Sequence, residues 1–82
     1  MGSFKVKMAA SAVTDLTAVP FPFRRQVNGR IVRLKENPRP PDSQEIPGGG
    51  GDRMRLRLGS WKVLYRLDEQ TRLVTVYAVL PC

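Results

Sequence analysis

The sequence predicts an α+β domain: a four-stranded, mostly antiparallel sheet with two N-terminal helices packed on one face. Three observations carry this expectation. Residues 53–67, "RMRLRLGSWKVLYRL", place an apolar side chain at nearly every second position, which is the period of a half-buried strand. Phe23, Val27, Ile31 and Leu34 recur at helical spacing. The chain has 82 residues, 41% of them hydrophobic, enough for one thin core and one domain over 1–82.

The elements follow in order. "FKVKM" (4–8) alternates apolar and basic and reads as a short strand with Phe4, Val6 and Met8 on one face. "AASAVTDL" (9–16) suits a short helix with Ser11 as its N-cap. Pro20 and Pro22 break it, and Pro22 fits the first turn of the next helix. That helix carries Phe23, Val27, Ile31 and Leu34 on its buried face, has Arg24, Arg25, Arg30 and Arg33 on solvated faces, and stops where Asn37 meets Pro38. Residues 37–52, "NPRPPDSQEIPGGGGD", read as a flexible connector. The glycines are not a phosphate loop, because no Gly-Lys-Ser/Thr follows and a strand comes next.

Strands over 53–58 and 61–67 flank Gly59-Ser60, a two-residue turn with glycine first, as a type II′ hairpin requires. A second turn at 68–71 leads to a last strand over 73–80. Pairing across Gly59-Ser60 puts Met54, Leu56, Leu58, Trp61, Val63 and Tyr65 on one face. The other face receives Arg53, Arg55, Arg57, Lys62, Leu64 and Arg66. In the last strand Val74, Val76, Ala78 and Leu80 are expected on the apolar face, and Leu73, Thr75, Tyr77 and Val79 on the basic one. The expected core is Phe4 or Val6 with Leu16, Val27, Ile31, Leu34, Leu56, Val63, Tyr65, Val74 and Val76, and Trp61 packs against it.

The basic face sets the functional expectation. Lys and Arg number 14 against 7 Asp and Glu, a net charge of +7. Arg57 with Lys62 and Arg53 with Arg66 are like charges placed directly opposite, an arrangement that costs about 0.2–1 kcal/mol per pair. A face that served only to solvate the sheet would mix signs. This one fits a polyanion, and Tyr77 beside it suits stacking on RNA. There is no histidine, which removes imidazole acid–base chemistry and leaves metal ligands scarce. Glu36, Asp42 and Glu45 show no spacing suited to acid–base work. The lone Cys82 allows no internal disulfide and fits a reducing compartment. The Ala-rich start, interrupted by Asp15, is a poor signal peptide, and no apolar run spans a membrane. A cytoplasmic protein without membrane contact, metal or cofactor is expected.

The order of strand, two helices, Gly-bearing loop and three-stranded meander resembles the RelE/ParE family of bacterial and archaeal toxins. "IVRLKENPRPPDSQEI" and "DRMRLRLGSWKVLYRLDEQTRLVTVYAV" are similar to that family's helix end, Pro-containing loop and "yRlRvGdYRviY" hairpin. The likeness runs from Phe4 to Val79 and is most specific from Arg53 to Tyr65. It implies a toxin neutralised by a cognate antitoxin protein of acidic or amphipathic character. It implies a target in the ribosome and its messenger RNA, cut in the A site without metal, or, in the ParE branch, DNA gyrase. By the same resemblance Arg53, Arg55 and Lys62 are catalytic and Arg57 fills a further basic position. Standing among so many cations, Lys62 is the expected base, and Arg57, Arg66 and Tyr77, on the same face, are expected to bind RNA. "AVLPC" holds neither the Arg or His nor the following Tyr that the family carries after the last strand. With this departure, a gyrase-targeting member or a catalytically weak RNA-binding member is the alternative reading.

Overall fold

The structure, a computed structural model, describes residues 4–82, so the domain start expected at residue 1 lies outside the described residues. Alternating and helical stretches become β1 (Lys5–Met8), α1 (Ala10–Thr17), α2 (Phe21–Arg33), β2 (Ser43–Glu45), β3 (Arg53–Leu58), β4 (Trp61–Asp68) and β5 (Leu73–Pro81). The sheet has five strands in the order β1-β5-β4-β3-β2. β1 runs parallel to β5, and the other neighbours are antiparallel.

The fifth strand corrects the expectation of four. Ser43, Gln44 and Glu45 pair with Leu56, Arg55 and Met54. The segment is short, polar and low in β-propensity, so its strand character comes from the free edge of β3 and not from its own residues. The connector 37–52 also carries side-chain hydrogen bonds. Arg39 donates to Glu45 and to the carbonyl of Gly51 within the segment, and to Glu69 in the turn after β4.

The hairpin behaves as its local chemistry dictates. Gly59 has φ +60° and Ser60 has no positive φ, the backbone a II′ turn needs at its first position. Arg53 faces Arg66, Arg55 faces Leu64, Arg57 faces Lys62 and Leu58 faces Trp61. At the other end of β4, the Asp68 carboxylate accepts the N–H groups of Gln70 and Thr71 and folds the turn into β5. The Thr71 N–H, first among these effects, holds the Asp68 carboxyl below its ordinary pKa.

Only part of β5 keeps the expected alternation. Tyr65 pairs with Val76, but Leu64 pairs with Ala78, so Tyr77 is an extra, bulged residue. From there the faces exchange. Val79 enters the core opposite Val63, whereas Ala78 and Leu80 join Leu64 and Lys62 on the other face. The alternation rule fails here because one unpaired residue reverses every later side chain. The same place explains the start of α1. Beyond Met8, where β1 ends, the helix takes over as partner of the β5 edge. Ser11 Oγ donates to the Tyr77 carbonyl (2.7 Å), and the Val79 N–H donates to the Asp15 carboxylate (3.0 Å). Ser11 is therefore not an N-cap. The cap position is Ala9, with no side-chain bond.

The core lies between the helices and one sheet face. Ala12, Val19, Val27, Ile31 and Leu34 meet Met54, Leu56, Val63, Tyr65, Leu67, Val74, Val76 and Val79. Phe4, Val6, Leu16 and Trp61 pack against this cluster as partly buried residues. Phe23, expected on the buried face of α2, is 50% exposed. It stands in the first turn of α2 and lines an open groove facing the hairpin turn. Arg24, expected to be solvated, instead bonds the carbonyls of Thr17 and Val19 and so closes the C-terminal end of α1. Tyr65, at the centre, donates its hydroxyl to the Pro38 carbonyl at 2.6 Å. Burial pushes its pKa above the ordinary value.

Candidate nucleic-acid interface

The face of the sheet away from the helices is open. β3 points Arg53, Arg55 and Arg57 onto it, all exposed. β4 adds Lys62, opposite Arg57, and Arg66, opposite Arg53. On the far side β1 contributes Lys5 and Lys7, opposite Leu73 and Thr75 of β5. Half of the chain's 14 cations thus share one surface. Successive arginines on β3 stand roughly 6.8 Å apart at the backbone, two residues of antiparallel strand. Three rungs, Arg53 with Arg66, then Arg55, then Arg57 with Lys62, extend over roughly 13.6 Å.

The carboxylates are elsewhere. Among the described residues the ion pairs are Arg30 with Asp42 and Arg39 with Glu45 and Glu69, and none involves an open-face cation. Arg55 donates instead to the neutral Gln44 side chain at 2.8 Å. The Arg53 guanidinium lies over the Tyr77 ring, 5.7 Å from its centroid. Lys62 is half-buried, flanked by Arg57 on one strand and Leu80 on the other. The structure thus brings Arg53, Arg55, Arg57, Lys62, Arg66 and Tyr77 onto one face. Sequence reasoning missed Gln44, because its strand has no pattern of its own. It also missed Lys5 and Lys7, whose place depends on the parallel pairing of β1 with β5.

A separate groove of about 730 Å³ runs between α2 and the hairpin turn, lined by Phe23, Arg25, Arg33, Arg57 and Trp61 among others. It meets the open face at Arg57. Among the described residues no three of the Cys, Asp and Glu side chains gather as metal ligands would. No described helix is long and apolar enough to cross a membrane.

No protein-family model and no curated protein matches the sequence. Solved structures do. A chain of the toxin–antitoxin complex RelBE2 from Mycobacterium tuberculosis superposes with a TM-score of 0.84 at 20% identity, covering 98% of this chain and 99% of that one. The archaeal RelE–RelB complex from Pyrococcus horikoshii OT3 gives 0.84 at 24% identity, with 96% and 94% covered. The isolated E. coli RelE toxin gives 0.81 at 17% identity, with 96% and 84% covered. The chain has the RelE toxin fold.

In this RelE-like chain the helices occupy one side of the sheet and leave the other to cations. The arrangement is suited to a phosphodiester strand lying along β3. Positive charge stands at each rung, and Leu64, Ala78 and Leu80 give the face apolar ground between the cations.

Proposed function

We propose that the chain is the toxin of a toxin–antitoxin pair and acts as a ribosome-dependent, metal-independent endoribonuclease that cuts messenger RNA in the A site. The observation that carries this reading is the β3–β4 ladder, where five cations stand without a carboxylate partner among the described residues. The shared fold with RelE chains, some of them solved in complex with RelB, supports it.

In the proposed reaction the ribose 2′-OH attacks the adjacent phosphorus and the 5′-oxygen departs. Negative charge grows on the phosphate oxygens, and Arg53 and Arg55 stabilise it as preorganised donors. Guanidinium groups stay protonated near neutral pH, so the proton work falls to the Lys62 amine. Arg57 and Arg66 hold the flanking phosphates. Charge supplied by the protein takes the place that a metal fills in other nucleases. The cytoplasm, where ribosomes and an antitoxin partner are found, is the proposed place of action.

Primer extension on ribosome-bound messenger RNA tests the reading. The intact chain is expected to leave A-site cuts, and Arg55→Ala and Lys62→Ala are each expected to reduce cleavage by about 10²–10³. A chain that makes no cuts but blocks gyrase supercoiling would move the function to the ParE branch. A chain that does neither but binds RNA with a steep salt dependence would be a binding module without chemistry.

A further inference from the structure

Arg53 begins β3 at the edge of the glycine loop, and two unrelated parts of the chain close on its side chain. On one side is Gly49. A Cβ placed there would sit 2.8 Å from Arg53 Cβ and 3.2 Å from Cγ, closer than real atoms approach. Gly49 differs in this from Gly48, Gly50 and Gly51, which have positive φ and no such crowding. Glycine at 49 therefore serves close approach: the bare backbone lies on the arginine stem. One bond joins the loop to β3, a second closes the loop on itself, and a third ties it to Arg39. The Ile46 N–H donates to the Arg53 carbonyl (2.9 Å), the Gly49 N–H to the Ile46 carbonyl (3.0 Å), and the Arg39 guanidinium to the Gly51 carbonyl (3.2 Å).

On the other side is Tyr77. The β5 bulge lies at this residue, and its ring lies under the Arg53 guanidinium at 5.7 Å. Arg53 also faces Arg66 across the ladder. Left unsupported, an exposed arginine beside a like charge swings away and loses its direction. Stem contact and ring contact together oppose that motion.

We propose that Gly49 and Tyr77 form a clamp that fixes the Arg53 guanidinium on the open face, so that Tyr77 acts through Arg53 and does not stack on a base. The inference rests on the open face being the RNA surface and makes Tyr77 a positioning residue. It also gives the bulge a purpose: the extra residue in β5 sits where its ring lies under Arg53.

Two measurements decide it. The first needs no RNA. The Arg53 Nε–H resonance is expected to carry a ring-current shift that Tyr77→Leu abolishes, Tyr77→Phe keeps and Gly49→Ala alters. A resonance indifferent to Tyr77→Leu overturns the clamp. The second is a double-mutant cycle on binding of a uridine hexamer. Tyr77→Leu is expected to weaken binding about two- to fivefold, the worth of an exposed cation–π contact. Arg53→Ala with Tyr77→Leu should bind no worse than Arg53→Ala alone. If the two losses multiply, Tyr77 touches RNA itself and the proposal is overturned while the RNA surface stands. If the intact chain fails to bind the hexamer, the RNA surface falls, and the resonance still decides the clamp.

Discussion

The two faces of the β3–β4 hairpin are built from alternating residues of the same sixteen-residue stretch, 53–68, and obey opposite rules. Toward the helices, Met54, Leu56, Val63, Tyr65 and Leu67 are all buried, and every contact lowers the energy of the fold. Toward solvent, Arg53, Arg57, Lys62 and Arg66 confront one another and raise it. The core face therefore holds the hairpin in place, and the open face can carry charge that does not help folding. The difference teaches where to look for function in a small domain, namely at arrangements that stability alone would not select.

Substitutions separate the faces. Leu56→Ala removes a fully buried side chain at the middle of the sheet and is expected to lower stability by about 2–5 kcal/mol, seen as a reduced urea midpoint with an unchanged slope. A smaller loss would mean that the core closes around the gap. The seam between α1 and the bulged strand comes next. Asp15→Ala leaves the Val79 N–H without its acceptor and should cost about 1–3 kcal/mol, accompanied by faster amide exchange at Val79. Unchanged exchange would show that water replaces the carboxylate freely.

The open face should respond in the other direction. Arg57→Glu converts a like-charge pair with Lys62 into an attractive one, and a gain of roughly 0.2–1 kcal/mol is expected together with loss of RNA cleavage. Loss of both stability and activity would contradict the division of labour between the faces. The smallest effect is the pH response of Tyr65. Its folded pKa is raised, so the stabilisation is complete below the ordinary tyrosine value and is lost as pH rises through the folded one. Urea midpoints taken from about pH 8 to about pH 11 should fall at the alkaline end, and Tyr65→Phe should flatten that fall.

What was legible in advance was local. Gly59-Ser60 sets the hairpin register through its own backbone preference, and strict alternation then assigns each residue of 53–67 to a face. Arg53, Arg55, Arg57, Lys62 and Arg66 were therefore placed together before any tertiary contact was known. The helical spacing of Val27, Ile31 and Leu34 identified the buried stripe of α2 for the same reason, since periodicity within one element needs no partner. The resemblance of the hairpin to RelE-type sequences pointed to the fold that the solved structures share.

Tertiary structure decided everything that depends on a distant neighbour. Ser43–Glu45 is a strand because β3 offers an unpaired edge, and no property of those three residues says so. Phe23 is exposed because it lines an open groove against the hairpin turn, although its spacing matches Val27 and Ile31. Val79 is buried, and Ala78 and Leu80 are not in the core, because the bulge at Tyr77 shifts the pairing by one residue. That bulge is stabilised by Ser11 and Asp15, more than sixty residues earlier in the chain. A sequence pattern records which face a residue prefers, whereas a bulge, an edge pairing or a clamp records a balance between segments that meet only after the chain has folded.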